Sequence, residues 1–174
     1  MKKLILFFIL FFPIVYGNKY TNFSGEIIYY GYHYLHKWKG ESKTINGFIS
    51  FNEVNNEFNC DLKVPIDSFD SKNGNRDSNM LIYTNALEFP DIQFVSKHIR
   101  LNQGKATVEG VLLFGGETKK ITTDVDVEIK NDISFSGMLV IKLSEFKINR
   151  PTLFFKKIDD EIKIIFSIKA KKGN

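Results

Sequence analysis

The sequence predicts an all-β domain of about eight antiparallel strands with one helical interruption. Three observations carry that prediction. Apolar and polar residues alternate with a period of two along most of the chain, the pattern of strands with one buried and one wet face. Compact polar turns separate the alternating runs, at Asn55-Asn56, Asn102-Gln103-Gly104, Gly115-Gly116 and Asn131-Asp132, as hairpins require. No strand-helix repeat is present, which excludes a doubly wound α/β sheet.

The strands follow in order. Ser24 to Tyr34 is rich in tyrosine, and consecutive positions there must face opposite sides. Thr44 to Phe51 carries Ile45, Ile49 and Phe51 on one parity. Phe58, Cys60, Leu62 and Val64 share a face, and Ile92 and Phe94 begin the next strand. Ala106, Val108, Gly110, Leu112 and Phe114 share another face, as do Ile121, Thr123, Val125, Val127 and Ile129, whose neighbours Thr122, Asp124, Asp126 and Glu128 are polar. Ile133, Phe135, Gly137, Leu139, Ile141 and Leu143 give a seventh strand, and Ile162, Ile164, Phe166 and Ile168 an eighth. Such strands form a sandwich or a closed barrel. The long runs 121–129 and 133–143 favour tilted barrel strands.

Two segments break the alternation, Asp70 to Glu88 and Lys147 to Asp160, and both are longer than a hairpin turn. In the first, Asn73-Gly74-Asn75 suits a turn and Asn75 can cap a short helix. Asp77 falls in its first turn, where negative charge is favoured. Met80, Leu81 and Tyr83 then turn inward over one end of the β structure, and Ala86, Leu87 and Phe89 continue the cover up to Pro90. Arg76 and Asp77 admit two readings. Arg76 pairs locally with Asp77, Asp70 or a backbone carbonyl, or the two residues contact a ligand, with the guanidinium gripping an anionic or carbonyl head group. In the second segment Phe154 and Phe155 are candidates either to gate a cavity mouth or to plug the barrel end.

The N-terminus has the pattern of a secretory signal peptide. Lys2 and Lys3 precede an apolar run from Leu4 to Phe12, Pro13 follows, and cleavage is expected after Gly17. The run is short for a membrane span, which takes about 20 residues; an uncleaved anchor is the alternative. The remaining chain, 18–174, reads as a single domain. Cys60 is the one cysteine, so no intramolecular disulfide forms, and its strand context marks it as buried and inert. The formal charge of +4 is spread singly along strands, unlike the basic stripe of a nucleic-acid binder. His33 and His36, three apart, would face opposite sides of one strand, so with His98 they do not suggest a metal centre. Trp38 either packs over a barrel end or meets a ligand there. No phosphate loop or nucleophile elbow is present.

Five stretches in order, LHKWKGESKTINGFISF (35–51), VPIDSFDSKNGNRDSNM (64–80), LEFPDIQFVSK (87–97), VEGVLLFGGETKKIT (108–122) and FSGMLVIKLSEFKINRP (135–151), resemble the YceI-like domain family. The resemblance spans most of 18–174. It implies a lipocalin-like barrel, which with the strand count and the 70–88 segment gives an eight-stranded antiparallel barrel with a short helical segment covering one end. It further implies an exported protein, in the bacterial periplasm or beyond the cell, whose cavity takes a polyisoprenoid or isoprenoid quinone. Many members have histidine where this chain has Asn79, and an aspartate and a histidine in the first strand where this chain offers Glu26, the Tyr29-Tyr30 pair and then His36. Alternation and resemblance together nominate Phe58, Phe94, Leu112, Phe135, Leu139 and Phe166 as the wall, with Arg76 and Asp77 at the mouth. The function this implies is non-enzymatic lipid binding or carriage, with no cofactor, metal or nucleic acid and with transient membrane contact. The alternatives are a structural or stress-related interaction module with a filled barrel, and an enzyme using Arg76, Asp77 and a tyrosine.

Overall fold

A computed structural model describes residues 18–173; the expected signal peptide, 1–17, lies outside the described residues. The strands are β1 (Asn18–His33), β2 (His36–Ser42), β3 (Asn46–Asn52), β4 (Glu57–Pro65), β5 (Asp91–Arg100), β6 (Lys105–Phe114), β7 (Glu117–Ile129), β8 (Ile133–Lys142), β9 (Thr152–Leu153), β10 (Lys156–Lys157) and β11 (Glu161–Lys172), and helix α1 is Gly74–Tyr83. Neighbouring strands run antiparallel, and β11 pairs along β1 from Tyr20↔Lys172 to Tyr30↔Lys163, which closes the sheet. β2 pairs with the second half of β1 and β3 with its first three residues, so the two fill one place in a barrel of 8 strands. The predicted strand 44–51 is thus only half of that place. The stretch HKWKGES, without regular apolar alternation, forms the other half because β1 supplies it with a pairing edge.

The alternation read from the sequence puts the apolar side inward. Outside, Lys120, Thr122, Asp124, Asp126 and Glu128 on β7 and Lys163, Lys169 and Lys171 on β11 are exposed. This is the reverse of a membrane-spanning barrel, which is apolar outside.

The short hairpins at 53–56, 101–104 and 130–132 lie at one end of the barrel, where Phe51, Phe58, Ile99, Val127, Ile133 and Ala170 pack tightly. Phe51 and Phe58 stack at 4.4 Å there. Both long irregular segments lie at the other end, between β4 and β5 and between β8 and β11. The first is fastened to β2 by reciprocal backbone hydrogen bonds between Glu41 and Asp70, 3.1 and 2.9 Å. It is also held by the Ser42–Ser68 hydroxyl contact, 2.6 Å.

Helix α1 begins where Asn73, in extended conformation, accepts from the Arg76 N–H through its side chain, 3.0 Å. The cap is therefore Asn73 and not Asn75, because Gly74 enters the helix and places Asn75 in its first turn. Asp77 lies in the first turn as expected.

Candidate functional site

The barrel is hollow. A cavity of about 520 Å3 runs from the packed end to α1. All six predicted wall residues, Phe58, Phe94, Leu112, Phe135, Leu139 and Phe166, line it. The middle rungs point inward yet are only half-buried: Phe94, Phe135, Leu139, Ile164 and Phe166 each face empty space. A filled core would bury them to the level of Phe58 or Ile133, at 1 % exposure.

Glycines explain why large rings leave the axis open. Trp38 lies against Gly31, Tyr29 against Gly40, Phe94 against Gly110 and Phe166 against Gly137. A methyl group at any of these glycines would collide with the ring; at Gly137 it would sit 2.6 Å from the Phe166 ring. Each missing side chain lets an aromatic lie flat along the wall instead of crossing the lumen. In the sequence these glycines were legible only as strand positions without a side chain.

The wall also contains Cys60, where burial pushes the thiol up to about 12 and leaves it a small inert apolar group. β7 and β8 pair only between Val125↔Gly137 and Ile129↔Ile133. Beyond that they part, bridged by the Thr123 hydroxyl donating to the Met138 carbonyl, 2.8 Å. Ile121, Thr123 and Leu139 line both the inner cavity and an outer groove at this seam.

Polar groups collect at the α1 end: Asn73, Asn75, Arg76 and Asn79 from the helix, Asn149 from the second irregular segment, and Tyr29 and His36 from the hairpin β1–β2. Met80 and Tyr83 also face the cavity, while Leu87 is fully exposed and gives no cover, since the chain has left the helix and turned outward there. The Arg76 guanidinium donates to the Ser71 carbonyl, 3.2 Å, and lies 5.6 Å from the centre of the Trp38 ring. Asp77 does not line the cavity. Its carboxylate accepts from the Ser71 N–H, 3.1 and 3.4 Å to its two oxygens, and so fixes the chain entering the helix. Burial raises the Tyr29 phenol, and the Asp77 carboxylate adds to the rise, so the hydroxyl stays a neutral donor at the mouth. Tyr30, Tyr32 and Tyr34 face outward.

Two further expectations differ from the structure. His33 and His36 do not face opposite sides of one strand, because a turn separates them. They are cross-strand partners with ring centres 5.9 Å apart, and His33 is fully buried against Tyr34 at 4.4 Å. Among the described residues no group of three or more His, Cys, Asp or Glu side chains could hold a metal ion. Phe154 and Phe155 neither gate nor plug the cavity. They form the two-residue turn of the hairpin β9–β10, and Pro151 and Leu153 face the cavity instead. Both phenylalanines have positive φ, 45° and 64°, a conformation that suits Asn and Gly and costs a bulkier residue about 1–3 kcal/mol.

A closed antiparallel barrel with an apolar cavity and a helix across its polar mouth defines a hollow barrel of lipocalin-like architecture. The chain belongs to the YceI-like domain family, which matches residues 21–170. Its fold is similar to that of Burkholderia cenocepacia BcnA, at 21% identity over 84% of this chain and 96% of that one, with TM-score 0.75. The Campylobacter jejuni YceI protein is similar at 24% identity, covering 82% of this chain and 90% of that one, with TM-score 0.69. A polyisoprenoid binding domain from Saccharophagus degradans, implicated in plant cell wall breakdown, is similar at 12% identity, covering 90% of this chain and 99% of that one, with TM-score 0.71. No curated protein sequence matches the chain.

Proposed function

We propose that this protein binds and carries an extended apolar lipid, of the polyisoprenoid or isoprenoid-quinone class, without a covalent step. The hollow, apolar barrel carries the reading. A cavity of about 520 Å3 lies within the roughly 300–1,000 Å3 typical of small-molecule sites. Its wall offers apolar contact almost throughout, and the polar groups gather at one end, which suits a long chain with one small polar head. Micromolar affinity corresponds to about 8 kcal/mol, and association costs at least about 4 kcal/mol. At about 0.8 kcal/mol per buried methylene, roughly 15 carbons must enter, so the ligand must bring a substantial hydrocarbon portion into the barrel.

In this reading the six wall residues take the chain, and Arg76, Tyr29 and the asparagines of α1 meet the head group. Asp77 acts indirectly by setting the helix. The polyisoprenoid-binding relative supports the ligand class, and the Lys2-Lys3 start with its apolar run supports export, with the bacterial periplasm as destination. The cavity counts against a filled-barrel adaptor.

Trp38 is the single tryptophan and lines the cavity, so its emission reports occupancy. Titration with an isoprenoid quinone should quench it saturably, while the same quinone ring without its isoprenoid tail should not. Equal quenching by both would remove the apolar chain from the account.

A further inference from the structure

We infer that the hairpin β9–β10 is a membrane-docking element, built to seat the cavity mouth on an anionic bilayer surface. Phe154 and Phe155 are 73% and 104% exposed, and both hold a left-handed backbone that phenylalanine disfavours. The fold gains little burial from Phe154 and none from Phe155, and bears a strained turn to present them. Other apolar side chains surround the same end. Tyr34 and Leu35 sit at the tip of the hairpin β1–β2, and Ile82 and Leu87 project from the α1 segment. The two hairpins are joined: the Asp159 N–H donates to the Tyr32 carbonyl, 2.9 Å, and the Lys156 ammonium lies 5.1 Å from the centre of the Tyr34 ring.

The charge around the phenylalanines fits an anionic bilayer. Lys156 and Lys157 follow the turn directly and are exposed, and neither joins an ion pair among the described residues. Lys37 lies on the ring of Tyr32 nearby. The acids of this segment stand at the hairpin's base. Asp160 is engaged by Ser144 and Arg150, while Asp159 and Glu161 precede and begin β11. Aromatic side chains flanked by lysines are the chemistry that enters the headgroup region of anionic bilayers. Pro151 and Leu153 of the same segment line the cavity, so docking would bring the mouth to the lipid. That purpose rests on the carriage reading, whereas the docking surface itself does not.

The test uses the chain 18–174 with vesicles of phosphatidylcholine alone and of phosphatidylcholine mixed with phosphatidylglycerol. The informative variant is Phe154→Asn with Phe155→Gly, which supplies the residues this turn prefers, so its Tm should be equal or higher. Wild type should co-sediment with the mixed vesicles, and the variant's partition should fall by more than about ten-fold. Lys156→Glu with Lys157→Glu should abolish the preference for phosphatidylglycerol. Binding by the Asn-Gly variant at the wild-type level, or no binding by wild type, overturns the inference. Quinone quenching of Trp38 in the same variant reports the carriage reading separately, since neither phenylalanine lines the cavity.

Discussion

The Arg76 guanidinium lies over the Trp38 ring, 5.6 Å from its centre, and joins α1 to β2 across the cavity mouth. The same group donates to the Ser71 carbonyl, so one side chain ties the helix, its entry turn and the barrel wall together. Arg76→Ala should lower unfolding stability by about 1–2 kcal/mol, combining a cation–π contact of roughly 0.5–1 with one hydrogen bond of roughly 1. Arg76→Lys should recover little, because lysine lacks the planar fork that can stack and donate together. Urea unfolding followed by Trp38 emission measures both effects.

The helix cap gives a sharper local test. Asn73→Ala removes the acceptor for the Arg76 N–H and should cost about 1 kcal/mol. Asn75→Ala should be nearly neutral to stability, since Asn75 lies inside the first turn. Amide exchange across α1 should rise in the first variant only. Equal effects would return the cap to Asn75.

Gly110→Ala and Gly137→Ala should push the Phe94 and Phe166 rings toward the axis, and each added methyl also presses on a neighbouring backbone carbonyl, Val95 at 2.7 Å and Asp124 at 2.9 Å. Overpacking costs about 1–3 kcal/mol, and the rings would narrow the lumen, so quinone uptake should fall in variant protein that is still folded. Uptake unchanged in both variants would mean that the rings do not set the cavity's width.

The Cys60 thiol supplies a pH test. Its ordinary value of 9.0 is raised to about 12 by burial, so between those limits the folded state keeps a proton that the unfolded chain has lost. The stability this contributes is complete below pH 9.0 and is lost as pH rises toward about 12, by roughly 1.4 kcal/mol per pH unit. Cys60→Ala should flatten this alkaline slope. Iodoacetamide should modify the native thiol far more slowly than the unfolded one, because burial keeps it protonated.

Much of this was legible because barrel strands alternate strictly. Ile164, Phe166 and Ile168 could face only one way, and the wall residues followed from parity together with the family resemblance. β2 was hidden because Trp38, Gly40 and Ser42 face inward with little apolar periodicity; its place is set by pairing with β1. The cavity itself was also hidden. Whether Phe94 crosses the lumen or lies flat depends on Gly110 on the neighbouring strand, a contact between residues far apart in sequence. The outward turn of Phe154 and Phe155 runs against local preference, and a conflict of that kind is expected where a segment serves something other than the fold.

Native mass measurement of the protein, purified from a bacterial host without detergent or added lipid, tests the central claim most directly. The account predicts a complex heavier than the bare chain by the mass of one apolar molecule, which organic extraction releases and quinone or polyprenol competes away. A reproducible bare-chain mass, together with no uptake of either added lipid, would contradict it.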